Sequence, residues 1–130
     1  MIKFTIKSNP VTKKNSGRIL KSKSGKPFVA PSRAFEEYQE LCGYLIPGEL
    51  KGLNINTPIN IQAIYYRDSR RTVDITNLHS ALHDILVHYN VIADDNMRIV
   101  IATDGNRVRY DKDNPRTEIE ISELEEETGF

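Results

Sequence analysis

Between Asp74 and Asp95 the chain reads DITNLHSALHDILVHYNVIADD, and two stripes of opposite character run along it. Leu78, Ala81, Leu82, Ile85 and Leu86 recur at helical spacing, while Thr76, Asn77, Ser80 and Asp84 form a polar face. A helix divided in this way needs a second layer to cover its apolar side. Asn90 is suited to the left-handed residue that ends it. The remaining sequence offers that layer. Ile2–Lys7, INIQAIYY from Ile59, MRIVIAT from Met97 and TEIEIS from Thr117 read as strands, and DGNRVRY as a turn followed by a short strand. A second helix is expected from Arg33, capped by Ser32 and stopped by Pro47-Gly48, with Phe35, Tyr38, Leu41, Cys42 and Leu45 as its buried stripe. RILKSKSGKPFVAPS reads as a hairpin turning at Ser24-Gly25. The order β, hairpin, α, β, α, β, β predicts one α/β domain over residues 1–130, an α+β arrangement with two main helices packed on a mixed sheet.

The formal net charge of +0 hides an asymmetry. Residues 1–35 hold Lys3, Lys7, Lys13, Lys14, Arg18, Lys21, Lys23, Lys26 and Arg33 and no acid, whereas residues 118–130 hold Glu118, Glu120, Glu123, Glu125, Glu126 and Glu127 and no base. The split points to a basic arm over residues 1–31 that faces a polyanion, and to an acidic C-terminal end. Cys42 is the only cysteine, which excludes an intrachain disulfide and a cysteine-based zinc site, and its place in the apolar stripe assigns it to the core. No apolar run is long enough to cross a bilayer, and MIKFTIKSNP alternates where a signal peptide would be continuously apolar. A cytoplasmic location is expected, with no membrane partner.

The basic arm has the composition of a phosphate-binding surface. Lys13, Lys14, Arg18, Lys21, Lys23 and Lys26 supply charge, and Asn15 with nearby serines and free amides supplies hydrogen bonds. RDSRR adds Arg67, Arg70 and Arg71 just before Asp74.

The acids and imidazoles of the central stretch carry the remaining chemistry. Asp74 is placed either to cap the helix or to turn its carboxylate outward, and Asp94-Asp95 either closes a polar turn or faces the same side as Asp74. Asp74 and Asp95 together can hold a hard divalent cation such as magnesium, which binds a few carboxylates and keeps several waters. Such an ion activates water and stabilises a leaving phosphate oxygen. His79 and His83 have the i, i+4 spacing of a zinc helix, but Ser80 stands where HExxH has its glutamate, and both rings are expected on the helix flank.

Taken together, the loop NPVTKKN after the first strand, the block RRTVDITNLHSALHDILVHYNVIADD and the tail GNRVRYDKDNPRTEIEI resemble the RusA-like Holliday junction resolvases, in particular their Gram-positive and phage members. The resemblance covers nearly the whole chain. It implies a homodimer that binds four-way DNA junctions and cuts them with magnesium, or manganese in its place, during recombination and repair. It places the family's first catalytic aspartate on Asp74 and its last on Asp95, and Asn77 and Asp84 also match. The second catalytic aspartate falls on Thr76 and the essential lysine on Ser80. The first change removes a metal-site charge and the second a cation. Asp84 or Asp94 is available for the missing carboxylate, and the 67–71 arginines for the cation. The alternative is a weak or inactive junction-binding protein on the same fold.

Overall fold

The computed structural model describes residues 1–13, 18–30 and 32–125. Along the chain run β1 (Ile2–Ile6), β2 (Arg18–Lys21), β3 (Pro27–Ala30), α1 (Arg33–Leu45), a 3-10 turn (Gly48–Leu50), β4 (Ile59–Arg67), α2 (Ile75–His88), β5 (Val100–Ala102), β6 (Arg107–Tyr110) and β7 (Arg116–Glu123). The mixed sheet with two helices on it is the architecture expected from the periodicities.

Strand β4 buries Ile59, Ile61, Ala63 and Tyr65, while Asn60, Gln62, Ile64 and Tyr66 lie on its other, less buried side. β7 runs antiparallel to it and β1 antiparallel to β7, in the order β1-β7-β4-β5. Register sets Phe4 opposite Ile119 and Ile119 opposite Ala63, so the apolar residues of three strands share one face. Leu78, Ala81, Leu82, Ile85 and Leu86 of α2 and Phe35, Tyr38 and Cys42 of α1 complete that core. Burial pushes the Cys42 thiol up to about 11, as befits a core residue rather than a nucleophile.

Local signals explain the boundaries. Ser32 Oγ accepts from the Phe35 amide at 3.1 Å and starts α1. Asn90, at φ 55°, ends α2, and the Val91 amide reaches back to Leu86 O at 2.9 Å. Gly25, at φ +83°, makes the turn of the β2–β3 hairpin.

Two expectations are corrected. Leu41 is 42% exposed, because it lies at the edge of the stripe that Phe35, Tyr38 and Cys42 bury. Met97–Ile99 is not strand. Asn96 caps a turn there, its Oδ1 taking the Arg98 amide and its carbonyl the Ile99 amide, and β5 begins only at Val100.

The edge beyond β4 is itself divided. β5 pairs with the beginning of β4 and β6 with its end, both parallel. Side-chain amides fill the gap. Asn60 exchanges hydrogen bonds with the Asp104 backbone at 2.7 and 3.3 Å, and Asn106 Oδ1 accepts from the Ala63 amide at 2.6 Å. A backbone donor that the ladder would leave open is thereby satisfied.

Candidate functional site

Asp74 is the N-cap residue of α2 in extended conformation. Its carbonyl takes the amides of Asn77 and Leu78 at 3.0 and 3.3 Å, but its carboxylate makes no capping bond. The side chain is exposed, as are Thr76 and Ser80, with Asn77 half-buried between them. Of the two uses open to Asp74, the helix relies only on its backbone.

Beyond α2 the chain doubles back. Ile92 bridges to Ile55, and the Ala93 amide donates to Ile55 O at 2.8 Å, which delivers Asp94 and Asp95 to the side of the helix. The two aspartates then diverge in role. Asp94 Oδ1 accepts from the Asp95 amide at 2.8 Å and its Oδ2 from Asn96 Nδ2 at 3.0 Å, so both of its oxygens hold the turn. Those hydrogen bonds, the backbone one foremost, keep its carboxyl below the ordinary range. Asp95 is pushed up instead, first by burial, then by its hydrogen bond to Asp94 and the charge of Asp84. Asp94 is therefore tied into the turn, whereas Asp95 feels the charge of a carboxylate from the helix.

Asp84 is the third member. It projects from the polar face of α2 toward Asp95, and Lys13 Nζ closes on its Oδ2 in an ion pair. The same ammonium lies 5.9 Å from the ring centre of Phe35, at the start of α1. The basic loop is thus anchored where the carboxylates gather. The Asn9 side chain fixes its other end by accepting from the Asp68 amide at 3.0 Å. No hydrogen bond or ion pair among the described residues joins Asp74 to Asp95; the carboxylates acting on Asp95 are those of Asp94 and Asp84.

The imidazoles do not lie on the helix flank as expected. His79 reaches the sheet: Nδ1 is 2.7 Å from Tyr65 Oη and Nε2 is 2.8 Å from Asn106 Nδ2. Because Asn106 Oδ1 is committed to the Ala63 amide, its nitrogen donates, so His79 Nε2 accepts and Nδ1 carries the proton toward Tyr65. Both nitrogens are occupied by hydrogen bonds within the fold. His83 stacks 6.0 Å from His79 and buries Nε2 with no partner among the described residues. Burial lowers both rings below the usual histidine range.

Of the residues expected on DNA, Lys21, Lys23 and Lys26 stand exposed on the β2–β3 hairpin. Arg67, Arg70 and Arg71 line a cleft at the end of β4. Lys14 and Asn15, the Arg18 side chain, and residues 126–130 of the acidic end lie outside what the structure describes.

Among the described residues no group of three or more His, Cys, Asp or Glu is arranged to hold a metal ion. Asp94 and Asp84 act electrostatically on Asp95 without forming such a group. No helix among those residues is long and apolar enough to cross a membrane. No protein-family model matches the sequence, and no curated protein matches it either.

Proposed function

We propose that this protein is a magnesium-dependent endonuclease acting on branched DNA, with the four-way junction as its substrate and a symmetric dimer as its working form. One observation carries the reading: Lys13 of the basic loop pairs with Asp84, whose charge also acts on Asp95. Acid, acid and cation together are a combination that phosphodiester hydrolysis can use, and the resemblance to RusA-like resolvases supports the same use.

In this reading Asp95 and Asp84 hold the ion, with Asp74 as the further carboxylate that the resemblance implies. Magnesium supplies a Lewis acid and a water of lowered pKa. The chain supplies the rest. Asp94 fixes the turn that presents Asp95. The Lys13 ammonium takes over from the lysine replaced by Ser80 and neutralises charge developing on the phosphate. The exposed lysines of the hairpin and the arginines at 67–71 hold the backbone without reading sequence. A junction has two equivalent strands, so paired cuts call for two copies related by a two-fold axis.

The test is cleavage of a mobile four-way junction and of a linear duplex of the same sequence, in magnesium and in chelator. Paired, magnesium-dependent nicks in the junction alone are expected; equal cutting of both, or none, overturns the reading.

The alternative is a junction-binding protein that cuts poorly. Thr76 and Ser80 favour it. Under the nuclease reading, Thr76→Asp with Ser80→Lys raises the single-turnover rate or leaves it unchanged. Tight junction binding without cleavage by parent or double variant establishes the alternative.

A further inference from the structure

The open cleft at the end of β4 has a cavity of about 310 Å³, lined by Arg67, Arg70, Arg71, Arg109, Val73 and Tyr110 among others. Register sets Arg67 opposite Tyr110 across the parallel β4–β6 pair, and the Arg70 guanidinium lies 4.3 Å from the centre of the Tyr110 ring. Stacking uses the face of the guanidinium and leaves its in-plane N–H groups free. Among the described residues no carboxylate pairs with Arg67, Arg70, Arg71 or Arg109. Asp111, just after β6, is taken by Arg116 at 2.9 Å, and Asp68 is an exposed acid of the loop. The loop is braced rather than loose. Arg67 Nη1 donates to Arg71 O, the Arg71 amide to Ser69 Oγ at 3.1 Å, and the Asp68 amide to Asn9 at 3.0 Å.

Four arginines without acidic partners define an anion site, but Tyr110 says more. Arg70 lies over its ring, and the residue is still 42% exposed. A duplex buries its base faces in the stack and offers a protein only edges and phosphates. An exposed aromatic ring beside a phosphate-binding cluster therefore matches a base that has left the stack. We infer that this cleft holds an unpaired nucleotide of a DNA strand, its phosphate on the arginines and its base against Tyr110. The inference rests on the nucleic-acid reading above and adds to it a preference for unpaired strand next to the branch.

Binding of a fluorescein-labelled oligo-dT and of a duplex of equal length, followed by anisotropy at fixed salt, tests it. Tyr110→Ala should weaken oligo-dT binding roughly ten-fold, the usual cost of a lost base–aromatic stack, and change duplex binding little. Tyr110→Phe should bind as the parent does, and Tyr110→Leu, which keeps apolar bulk without the π face, should behave like Tyr110→Ala. Equal losses on both DNAs, or none in Tyr110→Leu, overturn the inference. Inorganic phosphate displacing oligo-dT equally from parent and Tyr110→Ala, at matched ionic strength, shows an anion site only and overturns it too. Tyr110-dependent binding by a protein that never cuts DNA contradicts the nuclease reading and leaves the nucleotide site standing.

Discussion

Lys13 forms an ion pair with Asp84, 71 residues further along the chain. The side chains are 38% and 36% exposed, so the pair contributes only about 0–1 kcal/mol to stability. Its importance is positional, since it fixes a cation of the basic loop beside the carboxylates of the site. Lys13→Ala should leave the urea midpoint almost unchanged while lowering single-turnover junction cleavage about a hundred-fold, the scale of losing one charge-stabilising group. Lys13→Arg should recover part of the rate. A variant that loses stability and keeps its rate assigns the pair a structural role instead.

The hairpin lysines have a different task. Lys21, Lys23 and Lys26 are exposed, and each that meets a phosphate releases counterions. Replacing Lys23 or Lys26 by Gln should flatten the plot of log binding constant against log salt by about one unit per lost contact. Lys13 is engaged by Asp84, so Lys13→Gln should flatten it less. Identical slopes for all of these variants and the parent contradict a phosphate-binding hairpin.

Asn106 joins three elements, taking the Ala63 amide of β4 and donating to His79 of α2 from the turn before β6. Asn106→Ala strands a buried backbone donor and frees the imidazole, at a cost of about 1–3 kcal/mol in urea unfolding. Asn106→Asp keeps the acceptor for Ala63 and loses the donor to His79, so it should fall between parent and alanine. An unchanged midpoint for Asn106→Ala rejects the bridge.

How far the sequence reaches is visible in these same residues. Helix α2, its buried stripe, the Ser32 cap, the Gly25 turn and the Asn90 terminus were legible because each depends on neighbours within a few positions. Lys13 with Asp84, Asn106 with His79 and Arg70 with Tyr110 were not legible. Their partners lie 71, 27 and 40 residues apart in sequence, and only the tertiary fold brings them together. Periodicity says which face of α2 is polar and leaves open what that face meets. His79 and His83 show the consequence. Their i, i+4 spacing draws attention to metal, whereas the fold gives His79 a hydrogen-bonding role against Tyr65 and Asn106. Asp94 and Asp95 read alike in the sequence, and the turn geometry alone separates them.

The half-buried imidazoles impose a direction on acid sensitivity. His79 is lowered by burial and by the charge of His83; His83 is lowered by burial, partly offset by Asp84. Below about pH 6.5 the unfolded chain takes up protons that the folded state resists. Their contribution to stability is therefore full above that pH and is lost as the pH falls through the folded values. Urea midpoints measured at pH 7.5 and 5.5 should drop on acidification, and His83→Leu, which also removes the unpartnered Nε2, should shrink the drop. A parent midpoint that rises or stays level toward pH 5.5 contradicts neutral, half-buried rings.

The carboxylate beside Asp84 is the centre of the proposed chemistry, and Asp95→Asn removes its charge while keeping its shape. The decisive measurement is the single-turnover rate of four-way junction cleavage in magnesium by Asp95→Asn against the parent, with junction affinity measured on the same preparations. We expect the rate to fall by more than about a hundred-fold, since groups that merely support a metal ligand already cost ten- to a hundred-fold, while affinity is kept or rises slightly as a negative charge is lost. Asp95→Asn cutting junctions at the parental rate would contradict the site.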